Sequence, residues 1–220
     1  MAELIHLDLG RAAYAPTLEL QQRLIQEVRA SDPERAYLLT VEHDPPVITL
    51  GRSGRAEHLR ASREELAAAG IELHEVSRGG DVTCHGPGQL VGYPILRLDL
   101  HGRDVRRYLR GLETVVMGVL ARFGVAGERI PGLTGVWVGG EKICAIGVAV
   151  RKWVTWHGLE INVGSDLSLF ERIVPCGLHD RPVTSLSRLL GREVSTGELQ
   201  RPLAECLAEV FDLRLSNLCA

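Results

Sequence analysis

Lysine is almost missing from this chain. Of its 25 lysines and arginines, only Lys142 and Lys152 are lysines. In a chain that uses arginine for nearly every cation, a remaining lysine points to a task arginine cannot perform. The obvious task is to lose a proton. Lys152, beside Arg151, reads as a solvated turn residue. Lys142 follows Gly139-Gly140-Glu141 and opens the apolar run Ile143 to Val150, so it is the lysine to explain.

Other absences narrow the class. No apolar run approaches the length of a membrane span. The first residues, Met1 to His6, carry no basic segment followed by an apolar stretch, so no signal peptide is expected. The five cysteines are scattered and form no CxxC pair, which fits free thiols in a reducing, cytoplasmic compartment. A net charge of -3 and a pI near 6.2 argue against a general nucleic-acid binder. There is no GxxxxGK[ST] phosphate loop. No repeat, low-complexity segment or linker interrupts the chain, so residues 1–220 read as one domain.

What is present is a glycine-shaped stretch, Arg78-Gly79-Gly80-Asp81-Val82-Thr83-Cys84-His85-Gly86-Pro87-Gly88-Gln89. Four glycines and a proline exceed what a plain hairpin requires. Apolar β-type runs flank it, so it reads as a rigid loop between two strands that presents an Arg, a Thr, a Cys and a His. Two further stretches answer it: Lys142 with Ala145-Ile146-Gly147, and Pro175-Cys176-Gly177, a cysteine in a tight turn.

The rest of the chain supplies a scaffold. Strands are expected at Leu4–Leu9, Ala36–Val41, Val47–Leu50, Leu133–Val138, Lys142–Val150 and Val154–Val163. Helical faces recur over Leu18–Val28, Asp104–Phe123 and Ser195–Phe211. Ser62 with Glu65 forms a capping-box pattern, and Ser165-Asp166 is expected to cap a short helix through Ile173. Strands and helices do not alternate regularly. The expected class is therefore α+β, with a mainly antiparallel sheet and flanking helices.

Cys176 is the candidate nucleophile, since attack requires a thiolate that a nearby amine can support. A buried structural cysteine explains the same spacing equally well. Cys206 falls on a helix face, Cys144 on an apolar strand, and Cys219 beside the end of the chain. His85 and His157 are candidates for holding a substrate, whereas His6, His43, His58, His74 and His101 read as surface or turn residues. A zinc site from Cys84, His85, Cys176 and His179 can be drawn, but only Cys176 and His179 have usual ligand spacing, and no metal is expected. Arg103, Arg106, Arg107 and Arg110 fall at i, i+3, i+4 and i+7, which would place all four on one helical face.

These motifs, with His157-Gly158 and Asn162, and with Val183-Thr184-Ser185-Leu186 after the Pro-Cys-Gly turn, resemble the octanoyltransferases of lipoate biosynthesis. The resemblance runs from about Leu4 to the last helix. It implies a fold like the catalytic domain of lipoate and biotin protein ligases. It also implies transfer of octanoyl from an acyl carrier protein to a lysine of lipoyl domains, such as those of 2-oxoacid dehydrogenases and the glycine cleavage H protein. In that scheme Cys176 forms an acyl-thioester and Lys142 is its acid/base partner. Arg78, Gly79, Gly80, Asp81, Val82, Thr83, Cys84 and His85 would line the acyl chain, with Ala145, Ile146, Gly147, Gly158, Leu159 and Glu160. No ATP or other cofactor is expected, because the thioester is already activated. The four arginines are a candidate docking face for the acidic carrier protein. Cys84, Cys144 and Glu160 depart from the family, which more often has an aromatic, a small residue and an alanine there. The alternatives are an ATP-dependent lipoate or biotin protein ligase of similar fold, and a carrier-binding module in which Cys176 is inert.

Overall fold

The computed structural model describes residues 2–30, 35–164, 166–174 and 181–216. Strand β1 (Glu3–Ala12) and strand β2 (Arg35–His43), joined by helix α1 (Tyr14–Ala30), run parallel at one side of a large sheet. Its strand order is β10-β1-β2-β6-β9-β8-β7, where β6 is Gln89–Ile95, β7 Val136–Val138, β8 Glu141–Arg151, β9 Val154–Asn162 and β10 Arg214–Leu215. β1 runs parallel to both β10 and β2, and every other pair in this sheet is antiparallel. A second sheet has the order β4-β3-β5, from Glu72–Glu75, Val47–Leu50 and Val82–His85.

Three apolar clusters hold these layers. Helix α3 (Val105–Arg122) lays Leu112, Val115, Val116 and Val119 on one face of the large sheet, where they meet Leu90, Ile143, Cys144 and Ile161. Helix α5 (Gly197–Val210) adds Leu199, Leu203 and Leu207 to the same core. Helix α1 covers the opposite face with Leu24, Ile25 and Val28 against Tyr37, Leu39, Val91, Tyr93 and Ile95. β6 is buried throughout because it is sandwiched between the two layers: Leu90 faces α3 and α5, while Val91 and Tyr93 face α1. The small sheet packs beneath helix α2 (Arg63–Ala68), which opens on the expected Ser62–Glu65 capping box.

Several expectations change. The glycine stretch is not one loop, because Val82–His85 pairs as a strand with β3 and the glycines form turns on either side of it. The strand expected from Leu133 begins only at Val136. The turn expected to be helical after Ser165 is a 3-10 turn over Ser168–Arg172, with Asp166 Oδ1 accepting from the Ser168 N–H at 2.9 Å, while Ser165 itself lies outside the described residues. Helix α4 (Leu186–Leu190) and β10 carry too few residues for a periodic signal. No helix among the described residues is long and apolar enough to cross a membrane.

Candidate active site

A pocket opens between the α1 face of the large sheet and strand β5 of the small one. Each strand contributes by alternation. From β9 come Gly158 and Glu160, from β6 Val91 and Tyr93, and from β5 Thr83 and His85. Val82 and Cys84 alternate the other way, into the small sheet's core with Ile48 and Leu50. The acyl lining expected of Val82 and Cys84 is thus corrected to core packing. Cys84 and His85, adjacent on one strand, face opposite sides, which also removes the drawn zinc site. Among the described residues no three His, Cys, Asp or Glu side chains are grouped as metal ligands.

Strand β8 shows why Lys142 belongs to this face. Simple alternation would place Lys142 with Cys144, facing the α3 core. Opposite β8, however, Val136 pairs with Cys144 and Trp137 with Lys142, so β8 carries one extra residue, a bulge at Ile143. A bulge reverses the alternation beyond it. Ile143 and Cys144 both enter the α3 core, so Lys142 turns to the side of β8 on which Ala145 and Gly147 border the pocket, without itself lining it. Lys142 is 6% exposed, and its Nζ stands 5.2 Å from the centre of the Trp137 ring. The segment 181–184 docks beside it: the Lys142 N–H donates to the Pro182 carbonyl, and the Thr184 N–H donates to that of Lys142, both at 2.9 Å.

The glycine turn is fastened from two sides. Arg78 donates through Nη2 to the Thr49 carbonyl at 2.7 Å and to Thr49 Oγ1 at 2.8 Å. The Gly79 N–H donates to the Val148 carbonyl at 2.8 Å. Gly80 takes φ 87, a left-handed conformation suited to glycine. Arg78, Gly79, Gly80 and Asp81 thereby border the pocket, with Ala145, Ile146, Gly147, Gly158, Leu159 and Glu160. Asp81 pairs with His58 Nδ1 and accepts the Arg55 N–H at 3.1 Å. Beyond Asp81, the Val174 N–H donates to the His58 carbonyl at 2.8 Å. Cys176 and His179 lie outside the described residues, as does Cys219.

Polar groups on the pocket wall are unusually buried. Glu160 is 2% exposed; its Oε2 accepts from Thr83 Oγ1 at 3.0 Å and stands 3.2 Å from His85 Nδ1. Tyr14 and Tyr93 complete the wall; the sequence reading did not single them out. Tyr93 was detectable from its alternation with Val91, whereas nothing local marks Tyr14. His43 corrects the surface assignment: it has no exposed area, Nε2 meets Tyr93 Oη at 2.8 Å and Nδ1 meets the Ala12 carbonyl at 3.0 Å. His6 is likewise buried, at 2.8 Å from Thr40 Oγ1. Burial pulls His43 and His157 down to about 3, helped by the neighbouring His85 for His43 and by Arg78 for His157. Burial pushes the Cys84 and Cys144 thiols up, and the Glu160 carboxylate adds to both effects.

The arginine face is also corrected. Arg103 precedes α3 and reaches over Trp153, with φ 52, so it does not share a helical face with the others. Arg110 pairs with the buried Glu113 at 2.7 Å. This region adjoins the β8–β9 turn, where the Leu98 N–H donates to the Trp153 carbonyl. Ten residues of β8, roughly 30 Å of strand at about 3.3 Å each, separate that turn from Lys142.

Comparisons agree with this architecture. Residues 13–208 match the family described as lipoyl protein ligase A/B catalytic domain. The chain is 50% identical over 220 residues to an octanoyltransferase of Chloroflexus aggregans, covering 99% of each protein. It is 47% identical over 212 residues to an octanoyltransferase of Geobacter metallireducens, covering 96% of this chain and 95% of that one. A lipoate-protein ligase A structure bound with ATP superposes with a TM-score of 0.78 at 18% identity, over 98% of this chain and 87% of that one. The biotin protein ligase of Aquifex aeolicus shares the fold more distantly, with a TM-score of 0.53 at 14% identity over 96% and 70% of the two chains.

Proposed function

The chain belongs to the lipoyl protein ligase A/B catalytic family, on its octanoyltransferase side, and from that premise we propose that octanoyl passes through a thioester on Cys176 with Lys142 as the acid/base group. Octanoyl transfer is the activity of this family branch; the division of labour among these residues is the proposal. The observation that supports it is the bulge in β8, which turns Lys142 to the side of the strand on which Ala145, three residues on, borders the pocket.

The chemistry follows in two steps. The Cys176 thiolate attacks the carbonyl of octanoyl carried on an acyl carrier protein, and the carrier's thiolate leaves, taking a proton from the Lys142 ammonium, which is thereby left neutral. The ε-amine of a lipoyl-domain lysine then attacks the Cys176 thioester. Lys142 in its neutral form takes the amine's proton, and the thiolate leaves. One thioester replaces another, so the first step is nearly balanced and no ATP enters. Val174, two residues before Cys176 in the sequence, is bonded to the His58 carbonyl beside the His58–Asp81 pair, which supports a nucleophile acting near this pocket. On the other side, segment 181–184 is fixed to Lys142.

Intact-mass analysis tests this reading. The protein incubated with octanoyl-acyl carrier protein and no ATP should gain one octanoyl group that hydroxylamine removes, and should pass it to a lipoyl domain. An absolute need for ATP would favour a ligase, and the absence of any acyl adduct would favour a non-catalytic module.

A further inference from the structure

Glu160 is the most unusual group on the pocket wall. Its Oε2 is engaged by Thr83 Oγ1 and stands beside His85 Nδ1. Among the described residues no donor reaches its Oε1. His85 Nδ1 is itself buried without a hydrogen bond among the described residues. Oε1 is not among the enclosed atoms that lack a partner, so it opens on the pocket, and an apolar ligand that displaces water there leaves it unpaired at a cost in free energy.

The neighbours on the fold do not supply that partner. The thiols of Cys84 and Cys144 lie on the opposite faces of their strands, in the two cores. Ala145, paired across from Glu160 on β8, and Val91 on β6 are apolar. The ligand in this pocket is therefore the available donor. An unsubstituted alkyl chain has none to offer, but a hydroxyl on the chain does.

We propose that, besides octanoyl, the pocket accepts medium-length acyl groups bearing a hydroxyl, and that Glu160 Oε1, open to the pocket, is the acceptor that selects them. The hydroxyl donates to Oε1, completing the carboxylate's partners, while Val91 and Ala145 pack against the chain's methylenes. The proposal rests on the acyl-pocket reading, and the test separates the two. Octanoyl turnover by the unaltered protein tests the pocket; the ratio between two donors tests Glu160.

The experiment measures kcat/KM for octanoyl-pantetheine and for octanoyl-pantetheine hydroxylated at carbon 3, 5 or 8, with a lipoyl domain as acceptor. A hydrogen bond to a charged acceptor is worth roughly tenfold or more in such a ratio. The hydroxyacyl-to-octanoyl ratio should therefore fall by at least about fivefold in Glu160→Ala for at least one hydroxyl position. A smaller change at all three positions overturns the proposal. Should Glu160→Ala fail to fold, inhibition of the unaltered protein by the free acids decides. Equal or tighter inhibition by at least one hydroxyoctanoic acid than by octanoic acid supports the proposal, and weaker inhibition by all three overturns it.

Discussion

The amine of Lys142 lies 5.2 Å from the centre of the Trp137 ring, and Trp137 has no exposed surface. The ring is thus a fixed wall that attracts the ammonium form and limits where the side chain can go. Arginine at 142 would keep the charge and the ring contact but could not take a proton. Lys142→Arg is expected to lower the rate of lipoyl-domain octanoylation by about a hundredfold or more. Lys152→Arg, at the exposed β8–β9 turn, is the control and should retain most activity. Near-normal transfer by Lys142→Arg would reduce the lysine to a structural cation.

Burial argues against Cys84 and Cys144 as nucleophiles. Cys84 and Cys144 have no exposed area, and burial raises both thiols well above the ordinary range, so neither is a thiolate at neutral pH. Cys176→Ala should remove both the acyl adduct and transfer. Cys84→Ala and Cys144→Ala should keep both, at a cost of about 1 kcal/mol of stability for each small cavity. An adduct that persisted in Cys176→Ala would move the nucleophile elsewhere.

The legible parts of the fold were those with a repeating signal. The stripe on α3 and the capping box at Ser62 recur in the structure as expected, because each rests on local spacing. Lys142 drew notice through composition alone, yet its direction was hidden, since a single extra residue in β8 leaves no mark in the sequence. Val82–His85 was masked as a strand by the glycines around it. His43 was misplaced because its partners, Tyr93 and the Ala12 carbonyl, come from distant segments that no local pattern connects. The arginine spacing misled because Asp104 starts α3 one residue after Arg103.

At Gly158, strand β9 leaves no room for a side chain against β6. A Cβ there would lie 2.1 Å from the Gly92 carbonyl oxygen and 2.8 Å from Pro94 Cδ, both on the neighbouring strand β6. Neither atom belongs to a flexible side-chain end, so the two strands would have to separate. Gly158→Ala is expected to destabilise the protein by roughly 3 kcal/mol and to open the pocket beside it. Gly197, at the start of α5, meets nothing nearer than Ser195 Oγ at 3.7 Å, and Gly197→Ala should be neutral or mildly stabilising. Urea midpoints of the two variants check the contrast, and similar values would mean that β6 and β9 have more freedom than this contact implies.

The buried histidines make stability depend on pH. His43 and His157 are held near 3 in the folded protein, against an ordinary value of 6.5, chiefly because burial disfavours their charged forms. The unfolded chain therefore binds more protons than the folded one between those values. Stability from these groups is fully present above about pH 6.5 and is lost as pH falls toward 3. Each contributes a slope of up to about 1.4 kcal/mol per pH unit well below pH 6.5. His6, also lowered by burial, adds in the same direction. The lowered carboxylates Glu65, Asp99, Asp166, Glu198 and Glu205 titrate below this window, so pH 7.5 to 5 isolates the histidines. Urea unfolding should show a clear loss of stability from pH 7.5 to 5, and His43→Gln should show a smaller loss over the same range. Its amide can still meet Tyr93 but does not titrate, so an unchanged slope in His43→Gln would exclude His43 as a source of the effect.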